Sequence, residues 1–68
     1  MTSEAMFTVP MHCGDCENSV RRILRLTDGV LRAEADHRRS EVRVQFDSER
    51  VTEARLREQL RKAGFEPA

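Results

Sequence analysis

Two cysteines, Cys13 and Cys16, stand close together in the stretch MHCGDC at residues 11–16, and the chain has no others. Thiols at this spacing suit four chemistries: thiol–disulfide exchange, part of a closed zinc site, inert buried thiols, or an open site for a soft metal ion. A closed zinc site needs four ligands. Near the loop the sequence offers only these cysteines and His12, because there is no second cysteine pair and His37 is predicted on the far turn. Two thiolates alone hold Cu(I) or a similar ion and can release it to a third thiolate. The residues favour the open soft-metal site and leave an oxidoreductase as the alternative.

Charge and composition exclude several classes of partner. The chain has 68 residues with 12 basic and 12 acidic side chains, whereas binders of nucleic acid or membrane surfaces carry a basic excess. No apolar run approaches the roughly 20 residues of a membrane span. The first residues, MTSEAMF, lack the basic and apolar regions of a signal peptide. We expect a soluble cytoplasmic protein that neither binds nucleic acid nor inserts into membranes.

The spacing of apolar residues predicts a β-α-β-β-α-β order within a single domain, residues 1–68. The predicted strands cover about 4–9, 30–36, 42–46 and 65–68, and the predicted helices cover about 15–27 and the segment between Thr52 and Gly64. The expected fold is α+β: a ferredoxin-like sandwich with a four-stranded antiparallel sheet and two helices on one face. Cys16 then falls in the first turn of the first helix, where unpaired N–H groups and the helix dipole favour a thiolate. We therefore expect lowered pKa values for both cysteines.

The residues around the cysteine pair suggest supporting roles. Met11 continues the alternation of Phe7 and Val9, so we interpret it as a core residue that stiffens the loop rather than as a thioether ligand. His12 is a possible contributor to the metal site. Phe65, after the second helix, is interpreted as a core residue, as a shield over the metal, or as both.

Two other features concern the surface. His37 is predicted to be an exposed residue of the turn between the second and third strands. Arg21, Arg22 and Arg25 give the first helix a basic face, which suits docking to an acidic surface because complementary charge raises encounter rates.

The stretch FTVPMHCGDC, residues 7–16, resembles the heavy-metal-associated domain, a family with the same element order and a Met-x-Cys-x-x-Cys loop. Later landmarks resemble it too: Gly29-Val30, Val42-x-Val44-x-Phe46-Asp47 and Ala63-Gly64-Phe65. The resemblance covers essentially the whole chain. It departs at two positions: no glycine directly precedes Met11, and Phe65 stands where bacterial copper chaperones have Tyr and eukaryotic ones have Lys.

The resemblance implies a copper metallochaperone, or a metal-binding domain of a metal-pumping P-type ATPase. It implies that Cys13 and Cys16 bind Cu(I), that the protein is not an enzyme, and that copper passes by ligand exchange to a copper-transporting P-type ATPase or another copper acceptor. We expect a monomer in the apo form and a dimer when copper bridges two copies. A carrier of Hg(II), Zn(II) or Cd(II), and a thiol–disulfide oxidoreductase, remain alternatives.

Overall fold

A computed structural model of the protein describes residues 1–12 and 14–67. It has an α+β fold, and the first five predicted elements are confirmed. In chain order they are β1 (Thr2–Thr8), α1 (Gly14–Leu26), β2 (Val30–Asp36), β3 (Glu41–Asp47) and α2 (Glu53–Lys62). No helix in the described part of the chain is both long enough and apolar enough to cross a membrane.

The strands form an antiparallel sheet in the order β1-β3-β2, so β3 pairs with both neighbours. Because side chains alternate across a strand, one face of the sheet is apolar. This face and both helices share one buried cluster, which includes Ala5, Phe7, Ala33, Val42, Val44 and Phe46 from the strands and Val20, Leu24, Leu56 and Leu60 from the helices. The helices therefore cover the same face of the sheet, as predicted.

The prediction of a fourth strand is wrong for residues 65–67. The described residues form a sheet of three strands, and this segment does not pair with β1. The N–H of Phe65 is donated to the carbonyl of Leu60 at 2.9 Å, so it belongs to the end of α2 and not to a strand ladder. Pro67 has no N–H to donate. Ala68, the last residue of the predicted strand, lies outside the described residues.

A glycine turn separates α1 from β2, as predicted. Gly29 has φ +95°, a conformation that residues with side chains rarely adopt. A Cβ at this position would lie 2.9 Å from the Cβ of Arg50 and 2.9 Å from Cγ1 of Val51. The Gly29 carbonyl accepts a hydrogen bond from the N–H of Asp47 at 2.7 Å. The turn thus joins the end of α1 to the end of β3.

Candidate metal centre

Cys16 occupies the first turn of α1, which begins at Gly14. Its side chain is half-buried and packs against the hydrophobic core. The first N–H groups of a helix have no acceptor within the helix and carry the positive end of its dipole. The thiolate that the sequence predicts at Cys16 stays a prediction. Cys13, the other predicted ligand, lies outside the described residues, and its role stays a prediction.

Met11 lies in the core, with a side chain that is 6% exposed. Together with Val9, which is fully buried, it fixes the chain just before the cysteine loop. This burial fits the interpretation of Met11 as a support for the loop. It does not fit a thioether ligand that an incoming metal ion must reach.

An open cleft brings His12 and Cys16 to the same surface. Its lining residues are Pro10, His12, Cys16, Gly64, Phe65, Glu66 and Pro67. Among residues 1–12 and 14–67, no three His, Cys, Asp or Glu side chains gather as a metal site. If Cys13 were one of four zinc ligands, the other three would have to be His, Cys, Asp or Glu side chains that lie together among the described residues. The described part of the chain therefore provides no four-ligand zinc site.

The turn that ends α2 forms part of the wall of the cleft. Gly64, at φ +90°, donates its N–H to Arg61 at 3.0 Å, and Phe65 donates to Leu60 at 2.9 Å. These two bonds and the left-handed glycine form a Schellman motif. The motif brings the half-buried Phe65 against the core and into the same cleft as Cys16. The position of Phe65 suits both interpretations, as a core residue and as a shield.

His37 lies in the turn between β2 and β3, as predicted, but not as an exposed residue. It is half-buried, and its backbone N–H donates to Oε2 of Glu17 at 2.7 Å. Its ring Nδ1 also lies 2.9 Å from that oxygen, but without hydrogen-bond geometry, so the backbone bond is the principal contact. That bond, followed by the imidazole contact, holds the pKa of the Glu17 carboxyl below its ordinary value. Sequence reasoning missed this pair because the two residues are 20 positions apart and no local pattern connects them.

The basic residues of α1 lie on its outer surface. Arg21, Arg22 and Arg25 are exposed, and the Arg21 guanidinium donates to Oδ1 of Asn18 on the same helix. Their charge therefore faces solvent and is available to a docking partner.

Fold and site together define a small α+β domain with a cysteine loop at a strand–helix junction, a class suited to carrying a metal ion. The sequence model of the heavy-metal-associated domain matches residues 6–66. The chain belongs to the heavy-metal-associated domain family.

Relatives along most of the chain are copper chaperones. The copper chaperone CopZ of Staphylococcus haemolyticus (strain JCSC1435) is 34% identical over 56 residues, which are 82% of each chain. CopZ of Staphylococcus aureus (strain bovine RF122 / ET3-1) is 29% identical over 66 residues, which are 97% of each chain. Among solved structures, a copper-binding domain from HMA7, a P-type ATPase, is 32% identical with a TM-score of 0.93, and the match covers 100% of this chain and 92% of that one.

Proposed function

We propose that this protein is a metallochaperone that binds one Cu(I) ion per monomer through Cys13 and Cys16 and passes it to a partner by thiolate exchange. The observation that carries the proposal is the place of Cys16, in the first turn of α1 and in the wall of an open cleft. The similarity to copper chaperones along most of the chain supports the choice of metal.

The chemistry follows from the ligand set. Thiolates are soft ligands and select Cu(I) over harder ions. Two thiolates and one Cu(I) carry one net negative charge, which the N-terminus of α1 stabilises. The lowered thiol pKa values expected from the sequence have the same cause and stay a prediction. Because two ligands suffice, a third thiolate from a partner can enter while the ion is still bound.

The neighbours of the pair assist in different ways. Met11 holds the loop to the core, and Phe65 limits the access of water and small thiols to Cys16. His12 is exposed in the same cleft and is available as an additional ligand. None of these three is needed for two-coordinate binding, so we expect the cysteines to dominate the affinity.

The proposed acceptor is a domain with a similar thiolate pair, such as one in a copper-transporting P-type ATPase. The fold that this chain shares with the ATPase domain compared above supports this choice, because two like sites can face each other across a shared ion. The basic face of α1 docks on an acidic surface of the acceptor. The same exchange lets two copies share one copper, so the apo monomer becomes a bridged dimer.

The role requires no chemical turnover, so we assign no enzymatic activity. The metal-binding thiols must stay reduced, so the proposed location is the cytoplasm. The family and its copper chaperone relatives support both assignments. The whole chain acts as one domain in this account.

The test is copper transfer between two purified proteins without oxygen. The apo protein is loaded with Cu(I), and the bound copper is counted. It is then mixed with an isolated copper-binding domain of a P-type ATPase, and the two are separated and assayed for copper. We expect one copper per monomer and transfer to the acceptor, with both lost in Cys16→Ser and both kept in Ser19→Ala, an exposed position of the same helix. Binding that survives in Cys16→Ser would refute the site, and catalytic reduction of a model disulfide with turnover would support the oxidoreductase instead.

A further inference from the structure

Most of the first turn of α1 is exposed to solvent. Residues 14, 15, 18 and 19 are exposed, and Val20 is the first fully buried residue of the helix. Only Cys16 and Glu17 are half-buried in this turn. The position of a predicted metal ligand therefore depends on what these two side chains contact.

Glu17 is attached to the turn between β2 and β3, residues 37–40. Its carboxylate accepts the backbone N–H of His37 at 2.7 Å, and the two side chains are 22% and 33% exposed. A charged acceptor at this distance and depth forms one of the stronger hydrogen bonds in a protein.

The same turn also holds the chain on the other side of the cysteine loop. The N–H of Val9 donates to the carbonyl of Ser40 at 2.8 Å. Ser40 is the one described non-glycine residue with positive φ, at +55°. This strained conformation aims the serine carbonyl at Val9. The loop between Val9 and Glu17 is thus bound at both ends to one short turn.

We propose that Glu17 is a positioning residue for the metal loop. It fixes the far end of the loop to the turn that already holds the near end through Ser40, and so sets the place of Cys16. The inference rests on the proposed function, because the position of Cys16 matters for metal binding only if Cys16 is a metal ligand. A loop anchored at both ends binds metal without first having to be ordered.

Four variants separate this role from general stability. Glu17→Ala removes the acceptor, whereas Glu17→Gln keeps a carbonyl oxygen for the same N–H. His37→Ala removes only the ring contact, because the backbone N–H stays. Thr52→Ala is the matched control: it removes the hydroxyl that accepts from the N–H of Arg55 at 3.2 Å at the start of α2, so it lowers stability away from the loop.

The first measurement is amide hydrogen exchange in the metal-free protein. In an α-helix the N–H groups of Asn18 and Ser19 donate to carbonyls of the first turn, so their exchange rates report how often that turn opens. The exchange rate of Arg25, in the last turn of α1, serves as the internal reference. We expect Glu17→Ala to speed exchange at Asn18 and Ser19 about 10-fold relative to Arg25. His37→Ala should stay near wild type, and Glu17→Gln should fall between wild type and Glu17→Ala, because its neutral oxygen accepts a weaker hydrogen bond. Thr52→Ala should change the ratio little.

The second measurement is Cu(I) affinity by competition with a chromophoric chelator. Loss of a group that orients a metal ligand costs about 10-fold or more in affinity, so we expect this loss in Glu17→Ala. We expect partial recovery in Glu17→Gln and no loss in Thr52→Ala. The proposal is overturned if Glu17→Ala matches Thr52→Ala in either measurement. A wild-type protein that bound no Cu(I) would refute the proposed function instead, while the exchange ratios would still decide whether Glu17 fixes the first turn.

Discussion

Truncation of Phe65 to alanine tests whether the turn after α2 protects the metal site. The ring is half-buried, packs against the core and lines the cleft that also contains Cys16. Without the ring, one side of Cys16 opens to water and to small thiols. The substitution leaves the backbone unchanged, so the bond from the residue 65 N–H to Leu60 remains.

The expected cost in stability follows from this burial. Truncating a fully buried phenylalanine to alanine costs about 3–5 kcal/mol. Phe65 is half-buried and follows the last helix, so we expect the free energy of unfolding to fall by about 1–2 kcal/mol. Urea unfolding of the apo protein measures this loss. Such a variant stays folded at 25 °C if the wild type has ordinary stability for a domain of this size, about 5 kcal/mol or more.

The shielding effect of Phe65 is measured as the rate at which the Cys16 thiol is alkylated. In a Cys13→Ser background only Cys16 reacts with iodoacetamide, and we expect Phe65→Ala to react severalfold faster than the background protein. With both cysteines present, copper should also leave faster to an excess of glutathione. Phe65→Tyr keeps the ring and is the control, with both rates near wild type. Equal alkylation rates in Phe65→Ala and the control would refute the shielding role.

Four further predictions concern stability, pH and docking. Gly29→Ala forces a side chain into the positive-φ turn against Arg50 and Val51, and should lower the urea unfolding free energy by about 2 kcal/mol; an unchanged midpoint would contradict that turn. Thr52→Ala should cost about 1 kcal/mol through loss of the α2 cap, and no loss would contradict the capping bond. The Glu49 N–H donates to Oδ1 of Asp47 at 3.0 Å and, as the first cause, lowers the pKa of that carboxyl. Because the pKa of Asp47 is lower in the folded than in the unfolded protein, where it is about 3.9, the ionised carboxylate stabilises the fold at higher pH, and this contribution is lost as the pH falls. Between about pH 5 and pH 3 the unfolding free energy of the wild type should therefore fall more than that of Asp47→Asn, and equal losses would contradict this. Charge reversal at Arg21 and Arg25 should slow copper transfer at low salt, and unchanged rates would refute docking through α1.

The order of elements was predictable because the signals are local. Alternation in β1 and β3, helical spacing in α1 and α2, and the glycine after α1 each depend on a few neighbouring residues. Burial of Val9 and Met11 followed from the same alternation. These signals also put Cys16 in the first turn of a helix, which is the main structural fact about the site.

Two predictions were wrong: the fourth strand and the exposure of His37. The first depends on which hydrogen bonds form after α2, and the second depends on a contact between residues far apart in the sequence. Phe65 is an apolar residue suited to a strand, but its N–H donates within the Schellman motif at Gly64 and is therefore not available to a strand ladder. The contact of His37 with Glu17 depends on how a turn and a helix meet in the folded protein.

Competition between Cu(I) and Zn(II) tests whether Cys13 and Cys16 form an open site for Cu(I). The reduced protein is equilibrated with Cu(I) and Zn(II), each at a buffered free concentration, and both bound metals are counted in the wild type, Cys13→Ser and Cys16→Ser. We expect one Cu(I) per wild-type monomer, much weaker Zn(II) binding, and a large loss of copper affinity in either variant. Zn(II) binding as tight as Cu(I), or unchanged copper affinity in Cys13→Ser, would contradict it.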